Sequence, residues 1–127
     1  MSLSESMEDY LEAIFEIEKS KRVVRVRDVA NKLGVTMPSV NGALKILEAK
    51  GLINHEKYEY IELTEAGASQ ASKISNHHQT ISKFLKDILG VDSETADHEA
   101  CKLEHDLSEG TLKKLSDFIE NRSNNGH

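Results

Sequence analysis

At 127 residues, 38% of them hydrophobic, with a formal net charge of −6, the chain has room for one cored domain or two small lobes sharing helices, which excludes a large multidomain enzyme. No apolar run approaches a membrane span, and the acidic opening MSLSESMEDY lacks the cationic and apolar regions of a signal peptide, so a cytoplasmic protein without a membrane partner is expected. The single cysteine, Cys101, excludes an internal disulfide and is left as a core residue, a reactive thiol or a ligand.

Residues 5 to 19 carry Met7, Leu11, Ile14 and Phe15 at helical spacing, which predicts a first helix with Ser4 or Ser6 as its cap. VRDVANKL, residues 26 to 33, predicts a short second helix closed by Gly34, where a left-handed residue is wanted. In TMPSVNGALKILEAKG, residues 36 to 51, Thr36 can cap a third helix and Pro38 sits in its first turn, where a missing N–H costs nothing. Val40, Leu44 and Leu47 point inward, and Gly51 stops the run. Two helices joined by about four residues that include a glycine form a helix-turn-helix pattern.

LINHEKYEYIELT, residues 52 to 64, places short β-prone runs around a polar HEK and predicts a small hairpin, the wing of a winged helix-turn-helix. Residues 65 to 89 predict a long helix striped by Ala68, Ala71, Ile74, Ile81, Leu85 and Ile88 and stopped by Gly90. A further helix covers about 93 to 106. Ser108, with Glu109 and Thr111, opens a last helix to about Glu120, and NRSNNGH is expected to fray. The expected fold is mainly α, with a winged helix-turn-helix and its β-hairpin wing over residues 1–64 and a helical domain over 65–127.

The whole-chain charge hides a polarity. Residues 21–50 hold Lys21, Arg22, Arg25, Arg27, Lys32, Lys45 and Lys50 against Asp28 and Glu48, a net +5, while residues 92–120 hold three lysines against nine acids, a net −6. A basic first half suits a lobe facing phosphate, and an acidic second half suits one facing cations or a subunit. The outward positions of the third helix are Ser39, Asn41, Gly42 and Lys45. Small polar side chains there can approach base edges, Asn can pair with adenine, and Lys45 can neutralise phosphate. Thr36 and Pro38 at the helix start, with Arg25 and Arg27, complete the candidate DNA face. An ordinary solvated helix surface would carry the same residue types; the helix order, the basic excess and the following hairpin together favour double-stranded DNA.

HEACKLEHDLS, residues 98 to 108, gathers unusual chemistry. On a helical wheel with Cys101 at zero, Glu104 falls at about −60°, His105 at about +40° and His98 at about +60°. Ala96, Ala100, Leu103 and Leu107 fall on a separate apolar face. Thiolate, carboxylate and imidazole on one arc suit a divalent first-row transition metal rather than calcium, which takes oxygen. One helix cannot close a coordination sphere; candidate donors elsewhere are Asp9 and Glu12 on the first helix, and His77 or His78 on the fourth. Taken singly, each has a plain explanation: a lone Cys is commonly a small buried hydrophobe, and acids near a helix start are stabilised by its dipole.

MEDYLEAIFEI, VRDVANKLGVTMPSVNGALKILEAKGLI and HEACKLEHDLS together resemble the iron- and manganese-dependent repressors of the diphtheria toxin repressor and manganese transport regulator family, over about residues 5 to 120. The resemblance implies a winged helix-turn-helix lobe, a helical dimerisation lobe, and a homodimer that binds palindromic operators of metal-uptake genes when Fe(II) or Mn(II) is present. It further implies that Asp9, Glu12 and His78 match manganese-branch ligands, that Cys101 matches the iron branch, and that Glu104 and His105 are common to both. His98 matches an ancillary ligand of the iron branch, but that branch has a glutamate where this chain has Ser82. No SH3-like third domain is expected. Thiolate softness favours Fe(II), placed first, while Asp9 and Glu12 offer the hard oxygen that Mn(II) accepts.

The apolar faces of residues 93 to 119, including Leu103, Leu107, Leu112, Leu115 and Ile119, are candidates for the subunit contact. Two other readings stand beside this one. A winged-helix regulator could sense a small organic ligand or thiol oxidation through Cys101. A small metallohydrolase would need an HExxH or a nucleophile elbow, and the sequence contains neither; neither catalysis nor a small-molecule substrate is expected.

Overall fold

The computed structural model describes residues 3–55 and 60–125, apart from the side chains of 123–125. The chain divides into two compact units, Met1–Lys73 and Ile74–His127, with the boundary inside a helix.

In the first unit, α1 (Glu5–Ser20) is capped by Ser4, whose Oγ accepts the Met7 N–H at 3.2 Å, and it buries Tyr10, Leu11, Ala13, Ile14 and Ile17. A two-residue strand, β1 (Val24–Arg25), leads into α2 (Val26–Leu33), where the Asp28 carboxylate accepts the Arg25 N–H at 3.0 Å. Gly34 ends α2 in the left-handed region at φ 68°, as its position in the sequence predicts. Thr36 then caps α3 (Met37–Ala49) by accepting the Ser39 N–H, while Val40, Ala43, Leu44 and Leu47 are buried.

The hairpin is β2 (Ile53–His55) with β3 (Tyr60–Leu63), and Glu56 and Lys57 of the HEK tip lie outside the described residues. The sheet has a third strand that the sequence reading lacks: β1 pairs antiparallel with β3, Val24 opposite Ile61 and Arg25 opposite Tyr60, giving the order β1-β3-β2. A strand of two residues is too short for alternation to show. Its Val24 is nevertheless sealed into the core opposite Ile61.

Helix α4 (Glu65–Lys83) starts with Thr64 Oγ1 accepting the Gly67 N–H at 3.0 Å. It passes into a π-helical stretch, Phe84–Ile88, before Gly90 at φ 75°. The stop is where the sequence places it; the widened turn is not visible in a simple helical period. In the second unit, Asp92 caps α5 (Ser93–Asp106) through the Thr95 N–H, and Ser108 caps α6 (Glu109–Asn125) through the Thr111 N–H. Helix α6 runs to Asn125, five residues beyond the end at about Glu120 that the sequence suggests; Arg122 in its last turn complements the helix dipole. Gly126 and His127 lie outside the described residues.

Ile81, Leu85, Ala96, Ala100 and Leu112 form the core of the second unit, with Phe84, Val91, Leu107 and Leu115 packed against it. Small Ala96 and Ala100 let α5 lie close to its neighbours. Of the five candidate subunit-contact residues, Leu112 and Ile119 are already 3% and 8% exposed within their own chain, while Leu103 keeps apolar surface. Phe118, 50% exposed and edge-on to Phe84, adds to that surface although the sequence reading passed over it. Among the described residues no helix is long and apolar enough to cross a membrane.

Candidate metal centre and nucleic-acid face

Helical spacing on α5 brings Cys101, Glu104 and His105 to one side, and a ligand atom from each lies within 4.8 Å of the other two. From α4, His78 Nδ1 lies 2.8 Å from Glu104 Oε1, which selects His78 over its neighbour His77. The second carboxylate oxygen, Glu104 Oε2, has no hydrogen-bond partner among the described residues, and His105 Nε2 lies 3.8 Å from it. The Glu104 side chain is 1% exposed, so a carboxylate has been withdrawn from water with one oxygen unsatisfied. That burial is costly unless an opposite charge completes it. The Cys101 thiol and His105 imidazole beside this carboxylate, with the His78 imidazole against Oε1, are donor types that fit a divalent transition metal, whose charge would complete the carboxylate.

His98 is exposed on α5 and lies outside this cluster. Asp97, which the sequence reading omitted, lies beside the cluster: Ser82 Oγ donates to its Oδ1 at 2.7 Å, Lys86 Nζ approaches at 3.3 Å, and His78 Nε2 lies 3.9 Å away. The Ser82 hydroxyl, with Lys86 adding to it, holds the Asp97 carboxyl below the usual carboxylate range. These residues line an open cleft of about 380 Å³ with Gln79, Lys83 and Asp87. The wheel could have found Asp97, because one turn before Cys101 puts it at about −40°, inside the ligand arc. In the first unit, Asp9 and Glu12 stand about one turn apart on α1, both half-buried.

The outer face of α3 exposes Thr36, Pro38, Ser39, Asn41, Gly42 and Lys45, and Arg25 and Arg27 are exposed nearby in sequence. The Thr36 hydroxyl donates to the Ser39 hydroxyl at 2.9 Å, fixing the first turn. A Cβ at Gly42 would meet nothing within 4 Å, so packing inside the chain does not require this glycine, and its effect is to lower the outer face. Met37 and Ile46 add exposed apolar surface to α3 that the sequence reading did not single out. The Arg25 guanidinium rests over the Tyr60 ring, 5.4 Å from its centroid, bracing a cation at the base of the wing. Lys21 is committed elsewhere: its Nζ lies 2.8 Å from Asp28, whose carboxyl it holds below the usual range, which subtracts from the basic excess available to phosphate.

Two family models account for both halves of the chain. One, described as the iron dependent repressor N-terminal DNA binding domain, matches residues 2–61, and the other, described as the iron dependent repressor metal binding and dimerisation domain, matches residues 64–127. An uncharacterized HTH-type transcriptional regulator of Methanocaldococcus jannaschii is 42% identical over 93% of this chain and 95% of its own length. The HTH-type transcriptional regulator MntR of Bacillus subtilis is 31% identical over 91% of this chain and 80% of its own. The crystal structure of T. acidophilum IdeR superposes with a TM-score of 0.81 at 25% identity, covering 94% of this chain and 55% of that one. The present chain thus spans about half the length of that solved structure.

Proposed function

We infer the function from family membership: this chain belongs to the iron-dependent repressor family, with its DNA-binding domain followed by its metal-binding and dimerisation domain. It is therefore a metal-dependent, DNA-binding transcriptional regulator of the kind that acts as a dimer. Beyond that, we propose that it is a cytoplasmic, non-catalytic repressor of metal-uptake genes responding to Fe(II) or Mn(II). The observation that carries the metal reading is the buried, half-satisfied Glu104 carboxylate beside Cys101, His105 and His78.

The proposed ligands are His78, Cys101, Glu104 and His105, completed by Asp9 and Glu12 of α1, with His98 assigned to an ancillary position. A bound divalent cation supplies the charge that keeps these anionic and imidazole donors together. Donors contributed by both units make affinity depend on how the units are arranged, and only such differential affinity can bias a DNA-competent state. The α3 face, through Ser39, Asn41, Gly42 and Lys45, reads a half-site, aided by Thr36, Pro38, Arg25 and Arg27. Two such helices in a homodimer then lie about 34 Å apart on a palindrome. Leu103, Leu107, Leu115 and Phe118 are the proposed apolar contributors to the subunit contact, with Leu112 and Ile119 supporting them from beneath. A thiol-oxidation sensor is not favoured, because the two family models match both halves of the chain to a metal-dependent repressor.

The test is anaerobic binding to a palindromic duplex with Fe(II) or Mn(II) and with chelator. Metal is expected to tighten operator binding at least tenfold. Lys45→Ala should weaken binding at every sequence and reduce the salt slope by about 1 per lost phosphate contact, leaving metal affinity unchanged. Equal operator affinity with and without metal would refute the reading.

A further inference from the structure

We propose that Asp97 is a positioning residue of the metal centre, a carboxylate tethered by Ser82 and Lys86 that sets the ring orientation and tautomer of His78. This rests on the reading of His78 and Glu104 as ligands. An imidazole can offer a lone pair from Nδ1 only while its proton sits on Nε2, and that N–H then needs an acceptor. His78 Nδ1 faces Glu104 at 2.8 Å, and Nε2 faces Asp97 Oδ1 at 3.9 Å. The second distance is too long for a hydrogen bond, and a shift of about 1 Å brings it into range. In the metal-free chain Nδ1–H donates to Glu104; a cation held there would take the Nδ1 lone pair, leaving the proton on Nε2 with Asp97 on that side as its acceptor.

Asp97 is placed to orient rather than to ligate. The oxygen nearest His78 also takes the Ser82 hydroxyl at 2.7 Å and lies 3.3 Å from the Lys86 ammonium. A metal cation beside that ammonium would be repelled, whereas an N–H donor is accepted there. Partners outside the coordination sphere commonly change metal affinity by about 10- to 100-fold. The Asp97 side chain is 54% exposed, which places its effect near the lower end of that range.

The experiment measures Mn(II) affinity of the full-length, initially metal-free chain by chelator competition, and follows histidine tautomers by ¹⁵N NMR in the Zn(II)-loaded chain. His78→Ala gives the reference loss. Asp97→Asn is expected to weaken Mn(II) about tenfold and to shift His78 away from its Nε2–H form, Ser82→Ala should weaken it by less, and Asp97→Glu should recover part of the affinity. Melting curves of the metal-free Asp97 variants should overlay the native curve, because the Asp97 side chain is 54% exposed. If His78→Ala leaves affinity intact, the ligand assignment itself fails. If His78→Ala weakens binding while Asp97→Asn stays within twofold with an unchanged tautomer, the positioning role is overturned. It is equally overturned if X-ray absorption shows one oxygen ligand fewer in Asp97→Asn.

Discussion

Glu104→Gln is expected to bind Fe(II) or Mn(II) at least 100-fold more weakly than the native chain, while its metal-free form keeps the same secondary structure. The amide retains the volume and one carbonyl acceptor but loses the negative charge that Cys101 and His105 flank and that His78 Nδ1 meets at 2.8 Å. Glu104 lies on the buried side of α5 and touches the α4 histidine, so no water-exposed acid can replace it. A hundredfold loss is about 2.7 kcal/mol, within the range for removing a charged partner from a buried polar cluster. Chelator competition reads it directly. An affinity within threefold of native would place the cation elsewhere.

Gly67→Ala should lower the stability of the first unit by about 2–4 kcal/mol, measured as a fall in the urea midpoint. The sign opposes the usual expectation, since alanine for glycine inside a helix ordinarily adds about 1 kcal/mol. A Cβ at Gly67 would clash with the Leu52 carbonyl oxygen, a backbone atom that cannot swing away as a side-chain tip could. That oxygen also accepts the Thr64 N–H at 3.0 Å, and Thr64 Oγ1 donates to the Gly51 carbonyl at 2.7 Å. The start of α4 and the end of the loop after α3 are thus clamped together. Relieving the clash would open the clamp, so a neutral or raised midpoint would contradict this packing.

The parts of the molecule legible in the sequence are those whose cause is local. Ser4, Gly34, Thr36, Pro38 and Gly90 act within a few residues of themselves, and the helix-turn-helix follows from the middle three. What stayed hidden is set by distant neighbours. Strand β1 exists because Val24 and Arg25 find β3, and Gly67 is needed because Leu52 passes beside it. Apolar periodicity cannot separate a chain's own core from a partner's, so Leu112 and Leu103 look alike in the sequence although one is buried and the other exposed. At the candidate metal centre, Cys101, Glu104 and His105 share the arc that their spacing predicts, and His98 and Asp97 fall on that same arc. A search weighted towards imidazole takes the histidine, whereas Ser82, Lys86 and His78 surround the aspartate.

Metal and operator should bind cooperatively, and the coupling is measurable from the metal side. Under anaerobic conditions, the affinity for Mn(II) or Fe(II) is determined with and without a saturating palindromic operator. The duplex is expected to tighten metal binding by the same factor by which metal tightens operator binding, on the order of 10- to 150-fold. A metal affinity that is identical with and without DNA would contradict it, because ligands that hold a DNA-competent arrangement must also be held by it.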